Sequence, residues 1–278
     1  MGRKAKHHFI PKCYLKGFTD GGNNDSQFWG VPINNEKPFP TTPNDACAIR
    51  DYYSVEHSDS LVVEDYYANQ VEPKIARALS HIRKESTLPS PDEMGHLILL
   101  LATLFLRTPS AREMLEAPLR HAKTIVDSID ADVAISNRED FNYNQTDIIK
   151  SELKLIDYVQ EVLAGKYYQL HIISDPGYRF ITSDSPFILT HPRGGKGFYY
   201  GLTTPNTEIC IPLTKSAVLL GRNEEIPEGV FTASEEAIGR INVKLIMAAN
   251  RFFYTSAPEI LLVNDNFTTR KHSIFSTT

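Results

Sequence analysis

The chain reads as an α+β protein: a central helical block followed by a mostly antiparallel sheet with a C-terminal helix, and an N-terminal arm packed on both. Two features predict this class. Apolar residues recur at spacings of three and four through residues 61–165, whereas after Gly165 short segments rich in Ile, Val, Phe and Tyr are separated by Gly, Pro, Asn and Asp. Helices and strands segregated along the chain argue against a doubly wound parallel sheet. No internal repeat or low-complexity segment interrupts the 278 residues. They are taken as one domain: an arm and irregular region at 1–60, the helical block at 61–165 and the β-rich part at 166–278.

The elements follow in order. Pro11 to Phe18 suits a short helical turn closed by Gly17. Residues 18–48 hold Gly21-Gly22, Asn23-Asn24, Asn34-Asn35 and prolines at 32, 38, 40 and 43, a density of turn formers expected of short strands and irregular connecting structure. Leu61 to His81 is helical in spacing, with a kink or break expected at Glu72-Pro73, because proline has no N–H for the ladder. Ser90-Pro91-Asp92-Glu93 combines an N-cap, a proline at the first helical position and the Glu of a capping box, and it launches the apolar run Leu97 to Leu106. Arg107-Thr108-Pro109 ends or kinks that helix, and Ala111 to Ile129 resumes it with Pro118 inside. After a polar loop at 130–144, Thr146 and Asp147 cap a further helix that Gly165 stops. Strands are expected from Tyr168 to Ile172, Tyr178 to Thr182, Pro186 to Thr190, Glu208 to Leu213 and Ala217 to Gly221. A last helix covers Ser234 to Ala249, with Glu235 and Glu236 at its positive end, and Phe252 to Tyr254 returns as a strand.

Composition narrows the functional class. Lys and Arg number 29 against 34 Asp and Glu, for a net charge of −5, yet residues 1–16 carry five cations and no acid, so the rest of the chain holds −10. A basic arm can touch a phosphate, but an acidic body repels a polyanion, which excludes general coating of nucleic acid. The apolar run of ten residues is short of the roughly 18 that cross a bilayer, so no membrane association is expected. The basic N-terminus has no apolar segment behind it, which predicts no secretory signal and a cytoplasmic location. Cys13, Cys47 and Cys210, odd in number and without a CxxC, predict neither disulfides nor a thiolate zinc site.

Four candidate functional residues stand out. His7 and His8 are adjacent imidazoles near a terminus, each able to ligate a metal or act as a base near neutrality, with their rings on opposite sides of an extended segment. Asp184, in Phe180-Ile181-Thr182-Ser183-Asp184-Ser185-Pro186, is delivered by an apolar strand to a turn, where it suits a metal ligand or base. It suits an Asx turn equally, and a residue serving only that turn would accept asparagine at little cost. Arg107 ends the apolar run and, buried there, needs a partner; Glu72, Asp184 or a phosphate would each serve. Glu72 is a further candidate metal ligand.

Other motifs fail on spacing. Arg193-Gly194-Gly195-Lys196-Gly197 lacks the GxxxxGK[ST] pattern, and no HExxH, GxSxG, GxGxxG or EF-hand loop occurs. His7-His8-Phe9-Ile10-Pro11 with Gly21-Gly22-Asn23 superficially matches the start of an HNH nuclease unit, but no further histidine follows until His57.

Taken together, HHFIPKCYLKGF at 7–18, Arg107-Thr108-Pro109 after an apolar helix, FITSDSPF at 180–187, Ile211-Pro212-Leu213, and Asn242 with Ala248 to Arg251 resemble the bacterial DUF4238 family over about residues 5–256. The resemblance implies one full-length domain and directs attention to His7, His8, Arg107 and Asp184; it brings no reaction and no substrate. The functional expectation is a metal-dependent or acid/base hydrolase, acting on a phosphodiester such as a nucleic acid or another phosphate-containing ligand. In it His7 or His8 is metal ligand or base, Asp184 and Glu72 are carboxylate ligands of a divalent metal ion, and Arg107 holds the anion. The alternative is a non-catalytic binding or regulatory protein, in which the same residues form a structural polar network.

Overall fold

The computed structural model describes residues 6–53, 62–129, 143–194, 200–264 and 266–276. Leu61, the expected loop at 130–142, the glycine-rich stretch at 195–197 and His57 lie outside the described residues.

Helix α4 spans Pro91–Leu106, and its Leu97, Leu100, Leu101, Ala102 and Leu104 are all fully buried. A helix this apolar on every side has to be surrounded. Helix α3 (Glu72–Glu85) and helix α6 (Gln145–Ala164) pack against it, and α5 (Pro109–Ser128) leaves it at a bend of 55°. The expected break at Glu72-Pro73 takes the form of a π-helical turn, Tyr67–Val71, between α2 (Val62–Tyr66) and α3. Pro73 then sits in the first turn of α3, where the missing N–H has no partner to lose.

Two helix starts differ from expectation in detail. Ser90 caps α4 without a side-chain bond to the backbone; its Oγ faces Glu93 Oε2 at 3.5 Å instead. The cap of α6 is Asn144 rather than Thr146, in a reciprocal capping box with Asp147. In the final helix, α7 (Glu235–Ala248), Ser234 accepts the Ala237 N–H as its cap.

The β-rich part is mostly antiparallel. A five-stranded sheet runs in the order β10 (Gly229–Thr232), β5 (Tyr167–Ile172), β9 (Ala217–Arg222), β8 (Glu208–Thr214) and β7 (Ile188–Thr190), with only β10 parallel to its neighbour. A second, four-stranded sheet runs β3 (Phe39–Thr41), β2 (Phe28–Pro32), β11 (Phe252–Thr255) and β6 (Thr182–Ser183). The stretch at 18–48, expected to hold short strands and irregular connections, thus supplies half of this sheet. Its strands are too short, and too interrupted by proline, to show a period of two. A hairpin of β12 (Glu259–Val263) and β13 (Thr269–Ser273), which follows the expected last strand, covers α7. The contact is close: a Cβ on Gly239 of α7 would meet the Leu262 and Val263 backbone at 3.0 Å.

The N-terminal arm is part of the core. Strand β1 (Lys6–His8) pairs antiparallel with β4 (Ala48–Arg50), and Ile10, Tyr14, Leu15 and Phe18 join one buried cluster with α3, α4, α6 and the five-stranded sheet. The segment after β1 is helical over Lys12–Leu15 (α1) and continues as a 3-10 turn through Phe18, so Gly17 does not stop it. Two residues tie distant segments together. Tyr14 Oη lies 2.8 Å from both Thr182 Oγ1 and the Pro212 carbonyl. Asn242 accepts the Ile181 N–H at 3.1 Å and donates to the Arg179 and Leu261 carbonyls, both at 3.0 Å. Replacing Asn242 by Ala strands three backbone groups, two of them buried, so a loss of about 3 kcal/mol is expected in denaturant melts.

Candidate functional site

Arg107 lies where the arm meets the helices, and only 1% of it is exposed. Its position follows from α4, which ends there and carries it into the protein. The guanidinium donates from Nε to Tyr53 Oη at 2.9 Å and from Nη2 to the His8 carbonyl at 2.6 Å. It lies over the Tyr67 ring at 3.6 Å and the Tyr53 ring at 4.8 Å from the centroids. Tyr52 Oη donates back to the Arg107 carbonyl at 3.2 Å. These contacts, rather than an ion pair with Glu72 or Asp184, hold the charge among the described residues. Burial raises the Tyr53 and Tyr67 hydroxyls above the ordinary tyrosine range, Arg107 opposing it, so both remain neutral donors and acceptors.

A second cation flanks the first. Arg112 forms a two-pronged pair with Glu152, at 2.8 and 3.1 Å, donates to the Tyr52 carbonyl at 2.9 Å and lies over the Tyr52 ring at 3.6 Å. The Tyr52-Tyr53 pair is therefore clamped between two guanidinium groups. That interleaving was not foreseen from sequence; its only trace there is the pairing of Tyr52-Tyr53 and Tyr66-Tyr67.

The two histidines part as an extended strand requires. His7 is fully buried, and its Nδ1 accepts the Tyr53 N–H at 2.8 Å. Its Nε2 is buried with no hydrogen-bond partner among the described residues. His8 turns the other way, its Nε2 lying 3.1 Å from the Asn44 carbonyl. Burial, then the charge of Lys12, lower the His8 pKa to about 4, so the ring is neutral at pH 7. Glu72 stands beside Cys13, and burial followed by the Glu72 charge push that thiol up to about 12.

Asp184 is held by backbone. Its Oδ1 accepts the Asn250 N–H at 2.8 Å, and its Oδ2 accepts the N–H groups of Arg251 and Phe252 at 2.8 and 3.1 Å. The Asp184 N–H in turn donates to the Phe252 carbonyl at 3.0 Å. The carboxylate thus fastens the turn between α7 and β11. Burial raises its pKa above the usual carboxylate value, and the three N–H groups oppose that shift. Neither histidine hydrogen-bonds it. The structure joins His7, His8 and Arg107 through Tyr53 and leaves Asp184 and Glu72 at separate places. Among the described residues no three His, Cys, Asp or Glu side chains gather as a metal site requires.

A cavity of about 360 Å³ lies against Asp184, with Phe9, Phe39, Cys47, Pro109, Asn250 and Arg251 among its lining residues. Its walls come from the arm, the α4–α5 junction, the Asp184 turn and the start of β11. A model of the family described as "Protein of unknown function (DUF4238)" matches residues 6–259. The chain belongs to this family. No curated protein and no solved structure matches it. The segments that carry the DUF4238 resemblance divide into two roles. Tyr14, Pro212 and Asn242 tie the fold together, whereas Phe9, Pro109, Asp184 and the Asn250-Arg251 pair, from four such segments, border the one cavity.

Two outcomes follow from the clamp. Arg107→Ala is expected to cost about 3 kcal/mol or more, because it leaves the His8 carbonyl and Tyr53 hydroxyl unpaired in the core; Arg107→Lys is expected to recover little, since an ammonium lacks the planar fork. Urea melts of both variants provide the measure. For His8, the folded pKa of about 4 lies below the unfolded value of 6.5, so acid favours the unfolded chain between those limits. The ring's contribution is full above pH 6.5 and falls by about 2–3 kcal/mol on going to pH 4.5. A His8→Gln variant, with no ring to protonate, should show a correspondingly smaller loss of stability between melts at pH 7 and pH 4.5.

Proposed function

We propose that the protein is a non-catalytic small-molecule binding protein, in which His7, Arg107 and Asp184 form the polar framework that holds the walls of a binding cavity. One observation carries the reading: four separated motif segments border a single cavity, while the carboxylate and the buried guanidinium they supply are taken up by the fold itself. Asp184 spends both oxygens on backbone N–H groups and Arg107 is enclosed by tyrosines. The cavity falls in the size range of ligand pockets, roughly 300–1,000 Å³. We place the protein in the cytoplasm of a bacterial cell; three buried free thiols support a reducing compartment.

A second reading, an acid/base or metal-dependent hydrolase of phosphodiesters, is favoured by the unpartnered His7 Nε2: with Nδ1 accepting the Tyr53 N–H, the neutral ring carries its proton on Nε2, a buried donor that could serve as a general acid. Its metal-dependent form lacks a donor set among the described residues, because His8 and Asp184 are each committed to the chain's own backbone.

Asp184→Asn separates the two. In the binding protein an amide sets its own N–H donors against backbone N–H donors, so the variant should lose about 2 kcal/mol, or roughly 4 °C or more in Tm. Neither protein should be stabilised by Mn²⁺, Mg²⁺ or Zn²⁺, and neither should cleave bis(p-nitrophenyl) phosphate. A metal-dependent rise in the wild-type Tm, or turnover that disappears in a variant of unchanged stability, would establish the hydrolase instead.

A further inference from the structure

Resting on the binding reading, the geometry points to a ligand class: a planar aromatic body carrying one anionic group, with Arg251 as the anion-binding residue and Phe39 and Phe252 as the wall for the ring. The chemistry of the cavity mouth leads there. Phe39 and Phe252 meet edge to face with centroids 5.5 Å apart, so each presents a ring to the space between β3 and β11. Phe39 is held in that position by Gly30 on the neighbouring strand, since a Cβ there would come within 2.7 Å of the Phe39 ring. The aromatic surface is partly open, with Phe39 38% exposed. Half-covered facing aromatics are a surface on which a flat ring gains contact area and quadrupole attraction at little entropic cost.

The charges at the mouth are unequal. Asp45 is neutralised by Lys6 at 2.7 Å, and Asp184 by the three N–H groups. Arg251 is different. Its backbone is fixed, donating N–H to Asp184 and accepting from the Ile33 N–H at 3.0 Å. Its side chain is exposed, lies 5.0 Å from the Phe252 centroid and makes no ion pair with any described residue. A fixed backbone bearing an uncommitted guanidinium beside an aromatic wall is an arrangement for a carboxylate or phosphate, which the guanidinium can grip with two parallel hydrogen bonds. A single cation matches a single anionic group rather than a polyphosphate.

Two ligand sources share this chemistry, a nucleoside monophosphate and an aromatic carboxylate, and calorimetric titration of the full chain distinguishes them. The probes are AMP with adenosine as its neutral counterpart, and indole-3-acetate with indole. At least one anion should bind about tenfold or more tightly than its neutral counterpart, the margin expected of a charge-assisted contact. Arg251→Gln should abolish that preference while the neutral compound still binds, and should move the Tm little, because among the described residues the exposed side chain meets the fold through the Phe252 ring. Phe39→Ala should weaken anion and neutral compound alike. If anionic and neutral probes bind equally, or Arg251→Gln keeps the preference, the assignment of Arg251 fails while the cavity remains a binding site. If no probe binds, the ligand class fails, whereas the binding reading itself stands or falls with the metal response and phosphodiester turnover of the wild-type protein.

Discussion

A guanidinium cannot remain inside a protein without donors matched to acceptors and a polarisable surface for its faces. Arg107 meets that condition with groups from three places, the His8 carbonyl on β1, the Tyr53 hydroxyl after β4, and the Tyr67 ring on the π-helical turn. Each partner is thereby tied to the end of α4, and the arm's position depends on the tie. Among the described residues strand β1 has only β4 as a sheet partner, a ribbon of three residue pairs that would not stand alone in water. The buried charge fixes where that ribbon docks. Arg112 and Glu152 repeat the device on the outer side of Tyr52, so the tyrosine pair is held from both faces.

Asp184 does the corresponding work at the other end. A strand of two residues, β6, cannot orient the turn that follows it, but a carboxylate gathering three consecutive N–H groups can. In doing so it aligns Asn250, Arg251 and Phe252 along the cavity. The property that makes an aspartate attractive as a catalytic ligand, two strong acceptor oxygens, is used here on the backbone. The histidines show the same economy of polar groups: His7 takes the Tyr53 N–H and His8 faces the Asn44 carbonyl. What the two networks leave between them is a cavity with aromatic walls, bordered by Arg251, which makes no ion pair among the described residues.

Much of the architecture was legible from the sequence because it rests on local periodicity. The ten-residue apolar run had to be a buried helix, the proline at 91 had to open it, and Gly165 had to close α6. The switch from a period near 3.6 to alternation at Gly165 sufficed for the α+β class. Short strands were expected among the turn formers of residues 18–48, but the bounds of β2 and β3 were not legible there, because β2 is stabilised by β11, more than two hundred residues away. The cap of α6 slipped by two residues since Asn144 and Thr146 are both competent caps, and local chemistry does not choose between them.

The site was legible in part, and the division has a physical cause. Residue type and position along the chain identified His7, His8, Arg107 and Asp184 as residues with strong local demands: a charge at the end of an apolar helix needs partners wherever it folds. Which partners satisfy the demand is a matter of tertiary proximity. Sequence offered Arg107 a carboxylate or a phosphate, and among the described residues the fold supplied tyrosines and a carbonyl. It offered Asp184 a turn or a metal, and the fold supplied three N–H groups across a gap of 66 residues or more. The fold class and the list of residues with unmet polar needs were therefore properties of the chain, set by local geometry and by the cost of burying charge. The identity of each partner, and the cavity enclosed by Phe39 and Arg251, came only with the packing of segments distant in sequence, because hydrogen bonds and ring contacts act over a few ångströms in space whatever their separation along the chain.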